Sequence, residues 1–111
     1  MNKNVIPAIC ASLLLVTPAA LRADAAASYA KYCASCHGKD GAGHTKAGRL
    51  VKVKDLSDAA YQKTFSDDTA FKDLKDGLTD SDGKVRMKPL GDKLPDDDIK
   101  ALVAYVRTLA K

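Results

Sequence analysis

One pentapeptide limits this chain more than any other feature: Cys33-Ala34-Ser35-Cys36-His37. Two thiols three residues apart stand on one helical turn, and an imidazole follows directly. Three chemistries use cysteines at such spacing. A thioredoxin-like redox pair sits near a βαβ pattern, and none accompanies these residues. A zinc centre takes four ligands in well-spaced pairs. Here the set would be Cys33, Cys36, His37 and His44, with His37 adjoining Cys36 and no second pair. The third chemistry is covalent attachment of a c-type haem, for which C-x-x-C-H is the signature. Each thiol can reach one of two vinyl groups on the porphyrin rim and form a thioether. His37 is then swung beneath the ring and offers a nitrogen to iron.

The N-terminus fits that chemistry, because haem is attached outside the cytoplasm. Lys3 precedes an uncharged, mostly apolar stretch from Val5 to Leu21, centred on Leu13, Leu14, Leu15 and Val16. Ala23-Asp24-Ala25 follows as an A-x-A signature. The pattern predicts a secretory signal peptide over residues 1–25, cleaved after Ala25, with Ala27 closing a second site. The alternative is a retained membrane anchor, but the apolar stretch carries Pro7 and Pro18 and is at the short edge of what spans a bilayer. Ile9 before Cys10 does not suit lipid attachment. What remains, residues 26–111, is one small domain. The whole chain is 111 residues and 11.8 kDa, which leaves no room for a multidomain enzyme. A domain this small is marginal without help, which a disulfide, a metal or a cofactor would supply. Loss of Lys3, Arg22 and Asp24 removes two cations and one anion from +4 and leaves +3. That charge is mild, and no aromatics interleave the basic residues, so nucleic acid is not an expected partner.

The domain reads as all-α, with three or four helices. Ala26 to Cys36 is a helix candidate, with Tyr29, Tyr32, Cys33 and Cys36 at i, i+3, i+4 and i+7. Lys39 to Val53, punctuated by Gly41, Gly43 and Gly48, reads as loop. Ser57 is the expected cap of a short helix bearing Tyr61 and Phe65. Ser66 is the expected cap of the next, whose apolar face holds Phe71, Leu74 and Leu78 and whose end is Gly77. Leu78 to Leu94 shows turn signals at Asp82-Gly83 and Gly91-Asp92 and no strand alternation. The last helix starts near Asp96, and Ile99, Leu102, Val103, Val106 and Leu109 form its stripe. With the leader removed, Met87 is the only methionine. It lies far enough along the chain from His37 to reach the opposite face of the ring, in a segment that reads as irregular. A thioether is a soft neutral ligand that raises the potential. The competitor, His44, is too close to His37 in a glycine-rich loop and reads as exposed.

Three stretches together resemble the class I cytochromes c of small bacterial type: Tyr29 to Gly43 around the C-x-x-C-H motif, Met87-Lys88-Pro89-Leu90, and Leu94 to Arg107. The likeness spans nearly all of residues 26–111. It implies an all-α cytochrome c fold wrapped around one covalently bound haem c, with the first and last helices crossing. Tyr29 and Tyr105 match the aromatics packed at that crossing. Cys33 and Cys36 would carry the thioethers, with His37 and Met87 as axial iron ligands. The chain departs from the family pattern at Lys88, which separates Met87 from Pro89, and at Pro95, which replaces the usual serine cap, so that Asp96 becomes the expected cap.

The resemblance implies a periplasmic one-electron carrier, exported in a Gram-negative bacterium and monomeric. Nothing in the chain looks like a general acid–base pair or a triad nucleophile, so an enzyme is not expected. The other readings are a haem subunit of a larger oxidoreductase and a sensor with a labile Met87. Lys84, Arg86, Lys88 and Lys93 surround Met87 and form an expected rim for acidic redox partners. Membrane contact is expected only if the N-terminal segment is retained.

Overall fold

The computed structural model describes residues 18–111, with side chains from Asp24 onward. Most of the expected leader therefore lies outside the described residues. Its described part is helical and runs into the domain: α1 spans Pro18–Tyr32. Ala25, the last residue of that expected leader, is only 4% exposed. It lies beside Asp98 and Ala101 of the C-terminal helix. Among the described residues no helix is long and apolar enough to cross a membrane.

Among the described residues helical structure dominates, as expected, but in six segments rather than three or four. After α1 come α2 (Ala34–His37), α3 (Lys46–Val51), α4 (Ala59–Gln62), α5 (Asp67–Asp76) and α6 (Asp96–Thr108). A two-stranded antiparallel hairpin, β1 (Leu78–Thr79) with β2 (Val85–Met87), separates α5 from α6. The strands were not expected. At two and three residues they are too short to show alternation, and the hairpin is specified by its turn instead. Leu78, expected on the apolar face of α5, stands in β1 and is 42% exposed.

The core sits where α1 and α6 cross. Tyr29, Cys33, Leu56, Leu90, Ile99 and Leu102 form one buried cluster, with Ile99 and Leu102 fully buried. The Tyr29 and Tyr105 rings pack at 5.1 Å between centroids, tilted by 47°, a favoured geometry for aromatic pairs. The crossing expected from the sequence is therefore present, with the tyrosines at its centre.

Several helix ends differ from expectation in informative ways. Asp58, not Ser57, caps α4 by accepting from the amides of Ala60 and Tyr61. Ser57 instead donates its amide and hydroxyl to Asp55. Ser66 caps α5 as expected, and Gly77 closes it at φ 77°. Pro95 occupies the cap position of α6, and Asp96 makes no side-chain cap. Asp96, Asp97 and Asp98 instead fill the first turn, where the helix dipole favours anions.

Two polar residues tie α4 and α5 to α6. Gln62, only 5% exposed, donates from its side-chain amide to the carbonyls of Leu56 (2.6 Å) and Val106 (2.8 Å). Arg107 pairs with Asp67 at 2.9 Å and donates to the carbonyls of Gln62 and Phe65. Its guanidinium also lies 4.3 Å from the Phe65 ring centroid.

Candidate haem attachment site

The motif is built as a break between two helices. The backbone bends at Cys33, whose carbonyl accepts from the amides of Cys36 (3.2 Å) and His37 (2.9 Å). Cys33, Ala34, Cys36 and His37 thus occupy a single tight turn, which satisfies the spacing argument with a helix that breaks at Cys33 rather than running on to Cys36. The turn is held from three sides. The Tyr29 hydroxyl donates to the Gly38 carbonyl at 2.6 Å. The Gly43 amide donates to the His37 carbonyl at 2.7 Å. The Thr45 hydroxyl donates to the Cys36 carbonyl at 2.7 Å.

The last contact explains α3, which replaces part of the expected loop. Thr45 caps α3 by accepting from the Gly48 amide at 2.8 Å, so one hydroxyl both starts the helix and binds the motif. Gly48 allows the approach. A Cβ there would stand 2.3 Å from the Cys36 carbonyl oxygen.

The chemistry of the donors suits a covalently held haem. Cys33 and Cys36 are not joined in a disulfide. Burial, followed by the neighbouring Cys36, pushes the Cys33 thiol up to about 11. That is opposite to the lowered thiol of a redox-active pair. Burial also holds His37 below the ordinary histidine range, so its ring is neutral and has a lone pair to give. A backbone hydrogen bond involving Lys54 opposes that effect in part. His37 Nδ1 is buried with no partner in full hydrogen-bond geometry. His44 is exposed, as expected. Among the described residues no group of three or more His, Cys, Asp or Glu side chains is placed to hold a bare metal ion.

Met87 is the last residue of β2 and half-buried, so its segment is a strand end rather than an irregular loop. Its backbone is fixed against α5. Beyond it, the Leu90 amide donates to the Leu74 carbonyl (2.9 Å) and the Gly91 amide to that of Lys75 (3.1 Å). The basic rim needs one correction. Arg86 is paired with Asp80 at 2.8 Å, so its charge is locally neutralised. Lys84, Lys88 and Lys93 remain as exposed cations, the last within 5.9 Å of the Tyr32 ring centroid. Sequence reasoning also missed Thr45, Gln62 and Asp80. Asp80 had a local signal, a short polar residue ahead of Asp82-Gly83.

Known proteins bear on this geometry. A family model for cytochrome c matches residues 23–110. Cytochrome c-553 of Nitratidesulfovibrio vulgaris strain Miyazaki F is 36% identical over 106 residues, covering 95% of each chain. The solved structure of the c-type cytochrome KustC0563 superimposes with a TM-score of 0.69 at 31% identity, over 79% of this chain and 99% of its own. A single-residue variant of that protein gives 0.66 at 29% identity, over 78% and 98%. Helical order, a core at the crossing of α1 and α6 and similarity over nearly the whole length agree: this chain belongs to the cytochrome c family, as a small bacterial c-type cytochrome with covalently bound haem c and a role in electron transfer.

Proposed function

We propose that the protein is a periplasmic one-electron carrier, held to its haem by Cys33 and Cys36 and ligated to iron by His37 and Met87. When bound, the haem supplies an iron that cycles between the ferric and ferrous states. The observation that carries this reading is the Cys33–His37 turn: two thiols and a neutral, half-buried imidazole on one turn, pinned by Tyr29, Gly43 and Thr45. That bracing holds the His37 backbone in one place, and its imidazole would be the nitrogen donor that orients the haem. Met87, at the braced end of β2, would hold the iron with a soft, neutral donor that favours the reduced state. Were His37 and Met87 both to hold the iron, no open site would be left for a small-molecule substrate, which favours a carrier over an enzyme.

The leader, residues 1–25, directs export and is removed, leaving a monomeric domain from residue 26 onward. Lys84, Lys88 and Lys93 lie on the segment around Met87 and suit weak, transient docking by an acidic face of a redox partner.

The optical spectrum of the holoprotein tests this reading. A weak red-region charge-transfer band in the ferric form is expected, with a ferrous spectrum that carbon monoxide leaves unchanged. No such band, with ready carbon monoxide binding, would sink Met87 ligation and the carrier reading with it.

A further inference from the structure

The hairpin that carries Met87 is organised around one carboxylate. Asp80 Oδ1 accepts from the amides of Asp82 (2.9 Å) and Lys84 (3.0 Å), and its Oδ2 accepts from Arg86 Nε (2.8 Å). Its own amide donates to the Lys84 carbonyl at 2.9 Å. The strand register explains why the Arg86 contact matters. Leu78 pairs with Met87 and Thr79 with Val85, so one step along β1 spans two steps along β2. Arg86 is the additional residue. Such a bulge turns the strand and redirects the side chains beside it, and Met87 is the next residue. Of the ion pairs among the described residues, only Asp80–Arg86 lies within this hairpin.

The main chain at Met87 is also held from the α5 end. A Cβ on Gly77 would stand 2.6 Å from the Met87 carbonyl oxygen and 2.9 Å from the Pro89 nitrogen. The main chain at Met87 is therefore packed directly onto the end of α5. What is left adjustable is the strand on the turn side, and Asp80 holds it.

We infer that Asp80 is a positioning residue for Met87: by pinning Arg86 in the bulge, its carboxylate fixes the direction in which the thioether is presented. The inference rests on the reading of Met87 as an iron ligand. A hairpin held in this way keeps the thioether in place at little entropic cost, and an outside ligand must displace an organised competitor. Loosening the bulge makes Met87 easier to displace while leaving the α1–α6 core intact.

Free imidazole is the probe, titrated into the ferric holoprotein at 25 °C and followed through the red charge-transfer band. Asp80→Asn keeps an acceptor for the two amides and removes the charge that holds Arg86. Its apparent affinity for imidazole should rise roughly threefold, in keeping with a partly exposed ion pair. Asp80→Ala removes the amide contacts as well, and the rise should reach about tenfold. Far-UV circular dichroism on the same samples reports the midpoint of global unfolding. A role in stability alone would lower that midpoint and leave imidazole affinity unchanged, and this result would overturn the inference. A native protein without the red band would instead refute Met87 ligation itself, so the two failures are distinguishable.

Discussion

Replacing Gly48 with alanine sets two effects against each other. Gly48 lies inside α3 (Lys46–Val51), where alanine is favoured over glycine by about 1 kcal/mol on helix propensity. The added methyl group, however, would stand 2.3 Å from the Cys36 carbonyl oxygen, 2.8 Å from that of Gly43 and 2.8 Å from Thr45 Oγ1. Comfortable carbon–oxygen contacts begin at roughly 3.3 Å. Two of the three obstacles are backbone, and one belongs to the turn that carries both cysteines. Relief requires α3 to withdraw by about 1 Å, the shortfall in that contact distance. That movement breaks the Thr45–Cys36 hydrogen bond. Overpacking costs roughly 1–3 kcal/mol and the lost bond about 1 kcal/mol. Against the helix gain, the net loss is about 2 kcal/mol, so Tm should fall by roughly 8–16 °C for a domain of this size. Thermal unfolding of the holoprotein, followed by far-UV circular dichroism, gives the answer. A variant that melts at or above the native temperature would show that propensity wins and that the close approach of α3 to the motif is not a constraint.

Three further outcomes follow from the same geometry. Gln62→Leu removes a buried amide that serves two carbonyls on separate segments; a loss of about 2–4 kcal/mol is expected in urea unfolding, and a change below 0.5 kcal/mol, the range of neutral surface substitutions, would contradict the role given to it. Asp55 is held below the ordinary carboxylate range by the Ser57 hydroxyl and amide, and Asp80 by the Lys84 amide first, then by Arg86 and Asp82. Because both folded values are depressed, their stabilisation is present above the ordinary carboxylate range and is lost as pH falls from that range through the lower folded values, so stability should decline on acidification, and less so in the Asp55→Asn, Asp80→Asn double variant; equal declines would refute it. Raising salt from about 0.1 M to 1 M shortens the screening length from about 10 Å to about 3 Å, so electron transfer to the physiological partner should slow, and a constant rate would remove Lys84, Lys88 and Lys93 from the docking account.

Much of the site is legible in the sequence because its chemistry is local. Cys33, Cys36 and His37 announce themselves by spacing, and the caps Ser66 and Gly77 by residue type. The crossing tyrosines, Tyr29 and Tyr105, come from the family likeness, and their packing follows it. The features that escape are those in which a residue does something other than its usual work. Gly48 looks like loop punctuation, yet it lets a helix approach the motif. Gln62 is invisible to apolar periodicity because it is buried for its hydrogen bonds. Arg107 reads as a cation at a helix end, which it is, but it also reaches Asp67 and the carbonyls of Gln62 and Phe65. The β1–β2 hairpin escapes because its order comes from the Asp80 carboxylate in the turn rather than from strand alternation. Met87 stands out as a candidate by elimination, and its presentation from a bulged strand depends on pairings that no single position displays.

Ligation by Met87 is tested directly by the proton NMR spectrum of the reduced, leader-free holoprotein. Met87 is then the only methionine in the chain, so its methyl resonance needs no further assignment. A methyl held against the face of a porphyrin lies in the ring current and is shifted far upfield. With Met87 on the iron, one such three-proton signal is expected, lost in Met87→Ala. A methionine methyl at its ordinary position in the folded, reduced protein would contradict axial ligation by Met87 and the closed-site carrier built on it.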